Sequence, residues 1–386
     1  MRNYHFLFVA FLCQITALAN WAEVSTPTSE KLNKLEIIGN IAFCVGENGT
    51  LLKSTNFGDT WNLLNSGTSS TITSIKFVTA NLGFFTTIDG EIFKTQNGGS
   101  SWTGIKLQVL GALNCVDFLD ENTGLTAGDN GNIFRTINGG ATWDSLGSQS
   151  VFVINDILLM NDTLALNVGA LGSLMSSSDL GLTWMPVSTA SPESFSALEK
   201  KTNEVAVFTG TNGVIGEFSA ISMSVGEIKS IDSENDWLKD LEVLENGRVF
   251  AVGRNSSILR TNNGWKTLDL NSINHIQSIK FFNKTLGLIC GLNGKIYKTE
   301  TAGAPVASKT ILVERLKFHP NPANNFITLS GNFESTKLEV FDISGKNLMN
   351  INITSNNIDI SNLVQGQYFL RISSSTKIYS GKLIVR

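Results

Sequence analysis

A short pattern recurs seven times along most of the chain, and its spacing constrains the fold more than any other feature. The pattern joins a turn to apolar residues, a basic residue and a hydroxyl residue, as in ENGTLLKS, IDGEIFKT and DNGNIFRT. A period near forty residues with hairpin turns is typical of β-propeller blades of four strands. The sequence therefore predicts an all-β fold with a seven-bladed propeller. The copies are anchored at Gly49, Gly90, Gly131, Gly172, Gly213, Ser256 and Gly294, with spacings of 41, 41, 41, 41, 43 and 38 residues.

The composition agrees with turn-rich β structure and excludes several classes of function. Charged residues are only 16% of the 386 residues, and glycine occurs 35 times. A formal net charge of −4 gives no basic surface for nucleic acid. Of the three histidines, His5 lies in the leader, and His275 and His319 fall in different predicted domains. A multi-histidine metal site or a histidine-centred triad is therefore excluded, and we expect no cofactor and no metal site.

A second motif begins five residues after each of the first four anchors, and it reads STNFGDTW, TQNGGSSW, TINGGATW and SSDLGLTW. It resembles the Asp-box, Ser/Thr-x-Asp-x-Gly-x-Thr-Trp, of sialidase-like and photosystem II assembly factor-like propellers. The Asn or Asp side chain suits a hydrogen bond to the turn backbone, and the glycine suits a left-handed conformation. We interpret the motif as structural and each tryptophan as a packing residue. The motif residues are Asn56, Gly58, Trp61, Asn97, Gly99, Trp102, Asn138, Gly140, Trp143, Asp179, Gly181 and Trp184.

The start of the chain predicts both a leader and a closing strand. Residues 1–19 combine an early arginine, an apolar run and small residues, which predicts a secretory signal peptide cleaved before Asn20. Trp21 precedes Trp61 by 40 residues, so residues 20–27 are predicted to supply the strand that blade seven lacks. The propeller is then expected over 20–303. No other apolar run is long enough for a transmembrane segment. Cys44, Cys115 and Cys290 lie in separate apolar runs, which predicts buried thiols.

The end of the chain predicts a second domain. The repeat stops at Gly303, a linker is expected over 304–314, and residues 315–386 carry FHPNPANNFITL, KLEVFDISGK and IDISNLVQGQYFLRI. These motifs resemble the type A C-terminal sorting domain of the Bacteroidetes type IX secretion system. The resemblance implies an immunoglobulin-like β-sandwich, the secretion machinery as partner, and a secreted or outer-surface protein. The residues that carry it are Pro320, Asn321, Pro322, Asp342, Gly345, Leu363, Gly366 and Tyr368.

Residue counts disfavour a sialidase. That activity requires a tyrosine nucleophile and three arginines for the substrate carboxylate, but the propeller's only tyrosine, Tyr297, lies on a predicted packed strand. Two of its four arginines, Arg135 and Arg260, occupy a repeated strand position. Another glycosidase would need two carboxylates facing a cleft. Glu47, Asp89 and Asp129 lie at equivalent turns, where acidic residues ordinarily form the turn itself.

Three residues are candidates for a binding site in the propeller. Alignment of the first strands places Asp156 and Asp240 where they could face the central channel. Trp237 precedes a first strand where other blades have small or polar residues, and an aromatic ring there could stack on a sugar. The structural alternatives are solvated channel carboxylates and a loop tryptophan that covers the end of a blade.

These observations predict a monomeric, non-catalytic binding or adhesion propeller with an unidentified protein or polysaccharide ligand. The first alternative is a secreted glycan-active hydrolase with an unrecognised carboxylate pair. The second is an envelope assembly factor that resembles the photosystem II assembly factors.

Overall fold

The computed structural model describes residues 21–148, 150, 152–230, 237–254, 258–261, 265–268, 275–302, 312–331, 333, 336–343, 345–373 and 377–386. These residues fall into two compact units, 21–302 and 312–386. Both units are built from β-strands and turns. Within the described residues, no helix is long and apolar enough to span a membrane.

The first unit consists of seven antiparallel sheets that follow one another along the chain. The innermost strands are β2 (Leu32–Ile38), β6 (Ile72–Phe77), β10 (Leu113–Phe118), β14 (Ile154–Leu159), β18 (Phe195–Lys200), β23 (Leu238–Val243) and β27 (Ile276–Phe281). The second strands are β3 (Ile41–Gly46), β7 (Gly83–Thr87), β11 (Gly124–Gly128), β15 (Ala165–Gly169), β19 (Val205–Gly210), β24 (Val249–Gly253) and β28 (Gly287–Gly291). Each innermost strand contacts the innermost strand of the next sheet, and β27 contacts β2. The seven sheets are therefore the blades of a closed propeller.

The third and outer strands complete each blade. The third strands are β4 (Leu51–Ser54), β8 (Glu91–Thr95), β12 (Asn132–Thr136), β16 (Leu174–Ser177), β20 (Val214–Ser219), β25 (Ile258–Thr261) and β29 (Ile296–Thr299). The outer strands of blades one to six are β5 (Asn62–Leu63), β9 (Thr103–Lys106), β13 (Asp144–Ser148), β17 (Met185–Pro186), β21 (Ser224–Val225) with β22 (Lys229–Ser230), and β26 (Trp265–Leu268).

The start of the described chain supplies the outer strand of blade seven. β1 (Ala22–Val24) pairs antiparallel with β29, with Ala22 opposite Lys298. Trp21 is buried and packs edge-on against Phe281 at a ring-centroid distance of 6.1 Å. Blade seven thus joins the two ends of the propeller sequence, as the position of Trp21 in the repeat predicts.

The second and third strands are joined by tight turns with left-handed backbone. In blade one, Asn48 and Gly49 have φ angles of 52° and 66°. A β-carbon on Gly49 would lie 1.9 Å from the carbonyl oxygen of Thr68, so a side chain cannot be accommodated there. This explains why glycine recurs at the anchor position of the repeat.

The Asp-box turns pack each of the first four blades against the preceding blade. In blade one, Asn56 Oδ1 accepts hydrogen bonds from Ser54 Oγ at 2.9 Å and from the Thr60 amide at 3.1 Å. A β-carbon on Gly58 would lie 2.7 Å from Leu288 of blade seven, so the turn backbone makes a close contact with the neighbouring sheet. Trp61 is buried and donates from Nε1 to the carbonyl of Gly58. Equivalent hydrogen bonds recur in the next three blades. The side-chain oxygen of Asn97, Asn138 or Asp179 accepts from a backbone amide, and the hydroxyl group that begins the motif accepts from the amide of the motif glycine.

The second unit is a two-sheet sandwich. Its larger sheet has the order β30 (Leu312–Arg315), β37 (Lys377–Val385), β36 (Gly366–Ser373), β33 (Lys337–Phe341), β34 (Asn347–Asn352). The smaller sheet contains β31 (Phe318–His319), β32 (Phe326–Leu329) and β35 (Asn357–Asp359). β30 begins inside the segment 304–314 that the sequence predicts as a linker. That boundary is wrong because β30 pairs in parallel with β37 and so belongs to the sandwich.

The predicted sorting residues lie in turns of this sandwich and in or beside its central strand β36. Asn321 donates to the carbonyl of Lys382 and accepts from the amide of Ile384, which ties the Pro320–Pro322 segment to β37. Asp342 accepts from the amide of Lys346 across the turn that contains Gly345. The other residues lie around β36: Gly366 begins this strand, the Tyr368 hydroxyl donates to the carbonyl of Val364, and Leu363 packs on the core.

Cys44, Cys115 and Cys290 are buried and free, as predicted. Burial raises the pKa of the Cys44 and Cys115 thiols well above their ordinary range. Both groups are therefore protonated at neutral pH.

One buried amide in the propeller lacks a hydrogen-bond partner among the described residues. Asn167 on β15 is fully buried, and neither polar atom of its side chain is paired. At the equivalent position of β11, Thr126 donates from its hydroxyl to the carbonyl of Cys115 at 2.8 Å. An unpaired buried amide costs free energy, whereas a paired hydroxyl stabilises the fold.

We therefore expect Asn167→Leu to raise the free energy of unfolding by about 1–3 kcal/mol. The matched variant Thr126→Val should lower it by about 1 kcal/mol. Urea unfolding followed by tryptophan fluorescence measures both, because all seven tryptophans lie in the propeller. Destabilisation by Asn167→Leu would contradict this interpretation.

Candidate functional site

Every innermost strand of the propeller contains a β-bulge near its start. In each blade the pairing with the second strand shifts by one residue between the first and third residues of the innermost strand. The extra residue is polar in all seven blades. We call these residues the bulge layer: Asn33, Thr73, Asn114, Asn155, Ser196, Lys239 and Gln277.

Two further sets of equivalent residues follow along the same strands. The middle layer consists of the residues directly after the bulge: Lys34, Ser74, Cys115, Asp156, Ala197, Asp240 and Ser278. The deep layer lies two residues further on: Glu36, Lys76, Asp117, Leu158, Glu199, Glu242 and Lys280. The middle layer contains the predicted candidates Asp156 and Asp240. The charges of the deep layer were not predicted to be functional, although the same alignment of the first strands shows them.

The bulge layer forms hydrogen bonds across the blade junctions. An innermost strand pairs on one side only, so alternate carbonyl groups have no partner within their own sheet. The Asn33 amide donates to the carbonyl of Ile72 in the next blade at 2.9 Å. Asn155 makes the equivalent bond to Phe195 at 2.7 Å. Thr73 and Asn114 repeat the contact, with acceptors at Leu113 and Ile154.

Oxygen atoms of the middle and deep layers accept the free amides of the next blade. Asp156 accepts from the Leu198 amide at 2.8 Å, and Asp240 accepts from the Ile279 amide at 3.1 Å. The remaining contacts of this type run from Leu35 to Ser278, from Phe77 to Glu36 and from Leu159 to Asp117. Five of the seven blade junctions are bridged in this way.

Lysine residues compensate most of the buried carboxylates. Lys34 Nζ lies 2.8 Å from Asp240 Oδ1, and Asp240 is only 3% exposed. Although burial opposes its ionisation, Lys34 and Lys280 hold the pKa of Asp240 below its usual value. Lys280 lies 3.0 Å from Glu199 and 2.5 Å from Glu242. Lys76 pairs with Asp117 at 2.9 Å.

Asp156 is less completely compensated. Burial raises its pKa to about 6, against the opposing effects of Lys34 and of the Leu198 amide. Burial also raises the pKa of Glu242 to about 7.

A polar cavity of about 360 Å³ lies beside the bulge layer. We call it the mouth cavity; its lining includes Lys31, Asn114, Asp156, Trp237, Lys239 and Gln277. Two of the three predicted candidates, Asp156 and Trp237, therefore line one cavity. Asp240 lies outside this lining, paired with Lys34.

Trp237 is held at the cavity with cations beside its ring. Its Nε1 donates to the Ser196 hydroxyl at 2.7 Å. The Lys239 ammonium lies 2.8 Å from the ring centroid, and the Arg254 guanidinium carbon lies 5.1 Å from it. A sugar could stack on the Lys239 side of the ring only by displacing this lysine. Lys239 was missed by the sequence analysis, although it is the only charged residue in the bulge layer.

No cluster of histidine, cysteine, aspartate or glutamate suited to a metal ion occurs in the part of the chain that the structure describes. Of the turn acids, Asp129 accepts from the amide of Ala112, and Glu47 lies 3.8 Å from Lys31.

The raised pKa of Asp156 predicts a pH dependence of stability. In the unfolded chain its pKa returns to about 3.8, so the folded state binds this proton more tightly. The contribution of Asp156 to the free energy of unfolding therefore falls as the pH rises from about 4 to about 6, by up to about 3 kcal/mol. Asp156→Asn removes this dependence.

We expect the wild-type free energy of unfolding, minus that of Asp156→Asn, to be larger near pH 4 than near pH 7. Urea titrations followed by tryptophan fluorescence at both pH values measure the difference. A difference that is constant, or that grows with pH, would contradict the assignment.

Comparison with known proteins identifies both units. The family model described as "Photosynthesis system II assembly factor YCF48" matches residues 13–300, and that described as "Secretion system C-terminal sorting domain" matches residues 317–386. The second match confirms the predicted sorting domain and assigns the protein to type IX secretion, with export to the cell surface or the medium. No curated protein matches the chain.

Solved structures confirm the predicted propeller fold. A structure of "YCF48 bound to D1 peptide" has a TM-score of 0.62 and 19% identity, and covers 73% of this chain and 95% of its own. YCF48 from Cyanidioschyzon merolae has a TM-score of 0.61 and 18% identity, with 72% and 98% covered. The WD40 propeller of Doa1 has a TM-score of 0.61 at 12% identity, with 72% and 94% covered. The chain belongs to the YCF48 photosystem II assembly factor family of β-propellers and carries a type IX secretion sorting domain.

Proposed function

We propose that the exported propeller is a non-catalytic platform that holds an extended segment of another polypeptide at the cell exterior. The segment binds across the channel-mouth face, defined here as the mouth cavity together with the loops at the same end of the blades. These loops enter the innermost strands or join the second and third strands.

The main support for a non-catalytic role is that the channel carboxylates are engaged in hydrogen bonds and ion pairs within the protein. Hydrolysis of a glycoside needs two carboxyl groups free to transfer protons or attack a sugar. Asp156 and Asp240 instead accept backbone amides of neighbouring blades, and Asp240 is buried in an ion pair. The alternative of a glycan-active hydrolase therefore has no carboxylate pair in the described channel that is both exposed and unengaged.

The support for a polypeptide ligand comes from apolar side chains on the channel-mouth face. Ile88 lines the mouth cavity and is 46% exposed. Leu110 precedes β10 and is 85% exposed, whereas Leu171 joins β15 to β16 and is 63% exposed. Exposed apolar side chains beside a polar cavity suit a peptide with mixed side chains better than a uniformly polar polysaccharide. A structure of the related YCF48 was determined with a bound peptide.

Selection of a random peptide library on the immobilised mature chain, defined here as residues 20–386, tests the proposal. We expect enriched peptides to lose about tenfold or more in affinity for the double variant Leu110→Ser, Leu171→Ser. The matched control is Ile137→Ser, Leu182→Ser on the Asp-box loops, where the side chains are 59% and 48% exposed. Fluorescence anisotropy with labelled peptides gives the affinities.

Two results would overturn the proposal. The first is a library from which no peptide is enriched, or whose peptides respond only to the Asp-box variants. The second is the appearance of cleaved products when the mature chain is incubated with glycans, since this would establish a hydrolase.

A further inference from the structure

We infer that Trp237, Lys239 and Arg254 form a subsite for an acidic side chain of the bound polypeptide segment. This inference rests on the proposed function and deepens it, because it names the chemistry that selects the ligand. The ligand group is a carboxylate of aspartate or glutamate. Trp237 and Lys239 line the mouth cavity, and Arg254 lies beside the ring of Trp237.

Blade six differs from the other blades in the bulge layer. Six blades carry an uncharged polar residue there, and four of these side chains donate to a carbonyl of the next blade. Blade six carries Lys239, whose ammonium lies against the ring of Trp237. The fold accepts an uncharged residue at this position, so a structural requirement for the bulge does not explain the positive charge.

Lys239 and Arg254 differ in their charge balance from the lysines of the other innermost strands. Within the described residues, no aspartate or glutamate forms an ion pair with Lys239 or Arg254. Other lysines of the innermost strands are compensated: Lys34 by Asp240, Lys76 by Asp117, and Lys280 by Glu199 and Glu242. Burial, together with the like charges of Arg254 and Lys31, lowers the pKa of Lys239 to about 7. A bound carboxylate would relieve this repulsion.

The mouth cavity has more positive than negative side chains in its lining. Its charged lining residues are Lys31, Lys34, Lys239 and Asp156, so cations outnumber anions. Asp156 is directed toward the Leu198 amide. Trp237 is fixed by the bond from its Nε1 to Ser196, and its ring holds the two cations beside the cavity. Lys239 and Arg254 supply charge-assisted hydrogen bonds to the carboxylate.

Two blocked tripeptides test the subsite. The probe is acetyl-Ala-Glu-Ala-amide, and its neutral match is acetyl-Ala-Gln-Ala-amide. NMR of the mature chain with ¹³C-labelled lysine follows the Cε signals during titration, and Lys239→Gln assigns the signal of Lys239. We expect the Glu peptide to shift the Lys239 signal and to raise the pKa of Lys239, while the Gln peptide has no such effect.

Variants separate the subsite from general electrostatic attraction. Lys239→Gln, which introduces the residue type found at Gln277, and Arg254→Gln should each weaken binding of the Glu peptide about tenfold or more. Lys106→Gln, on the exposed strand β9, should leave it unchanged. Equal responses to the Glu and Gln peptides, no response of Lys239, or equal losses for Lys106→Gln would overturn the inference.

The selected peptides of the library experiment distinguish the two proposals. If they bind Lys239→Gln and Arg254→Gln with wild-type affinity, the proposed subsite is wrong, whereas the proposed polypeptide-binding function is still supported. If no peptide is enriched at all, the platform itself is wrong.

Discussion

The innermost strand of each blade has one unpaired edge, and the architecture of the propeller depends on how these edges are satisfied. Unpaired amides and carbonyls in a packed channel cost free energy unless they find partners. Side chains of the preceding blade supply these partners: amides and hydroxyls for carbonyls such as Ile72, and carboxylates for amides such as Leu198. Each bond also joins two neighbouring blades. The same hydrogen bonds therefore provide partners for the strand edges and hold the ring closed.

This constraint separates the structural charges of the channel from those available for binding. Carboxylates of the middle and deep layers are occupied by backbone amides and lysines, as Asp240 shows with Ile279 and Lys34. The bulge layer is less constrained, because residues of several types occur there. Lys239 can therefore serve recognition without loss of the fold. The channel interior holds the ring together, and the mouth is the part of this surface where ligand specificity can vary.

Much of this organisation follows from the sequence, because the repeat places equivalent residues in equivalent environments. The anchor spacing predicted seven blades, and the phase of Trp21 predicted the strand that pairs with β29. The cation pair at Trp237 was not predicted, since it joins a strand residue, Lys239, to a residue after the next strand, Arg254, through side-chain packing. The predicted end of the linker, at residue 314, was wrong for a related reason. β30 pairs with β37, and these two strands are far apart in the sequence.

The central claim is that channel carboxylates bridge blades through backbone amides, and hydrogen exchange tests it most directly. The amides of Leu198 and Ile279 should exchange as slowly as amides within the blade ladders, although they lack backbone partners. In Asp156→Ala, Leu198 should exchange faster while Ile279 keeps its protection, because only the bond to Asp156 is removed. Rapid exchange of both amides in the wild-type protein, or no change at Leu198 in the variant, would contradict the account.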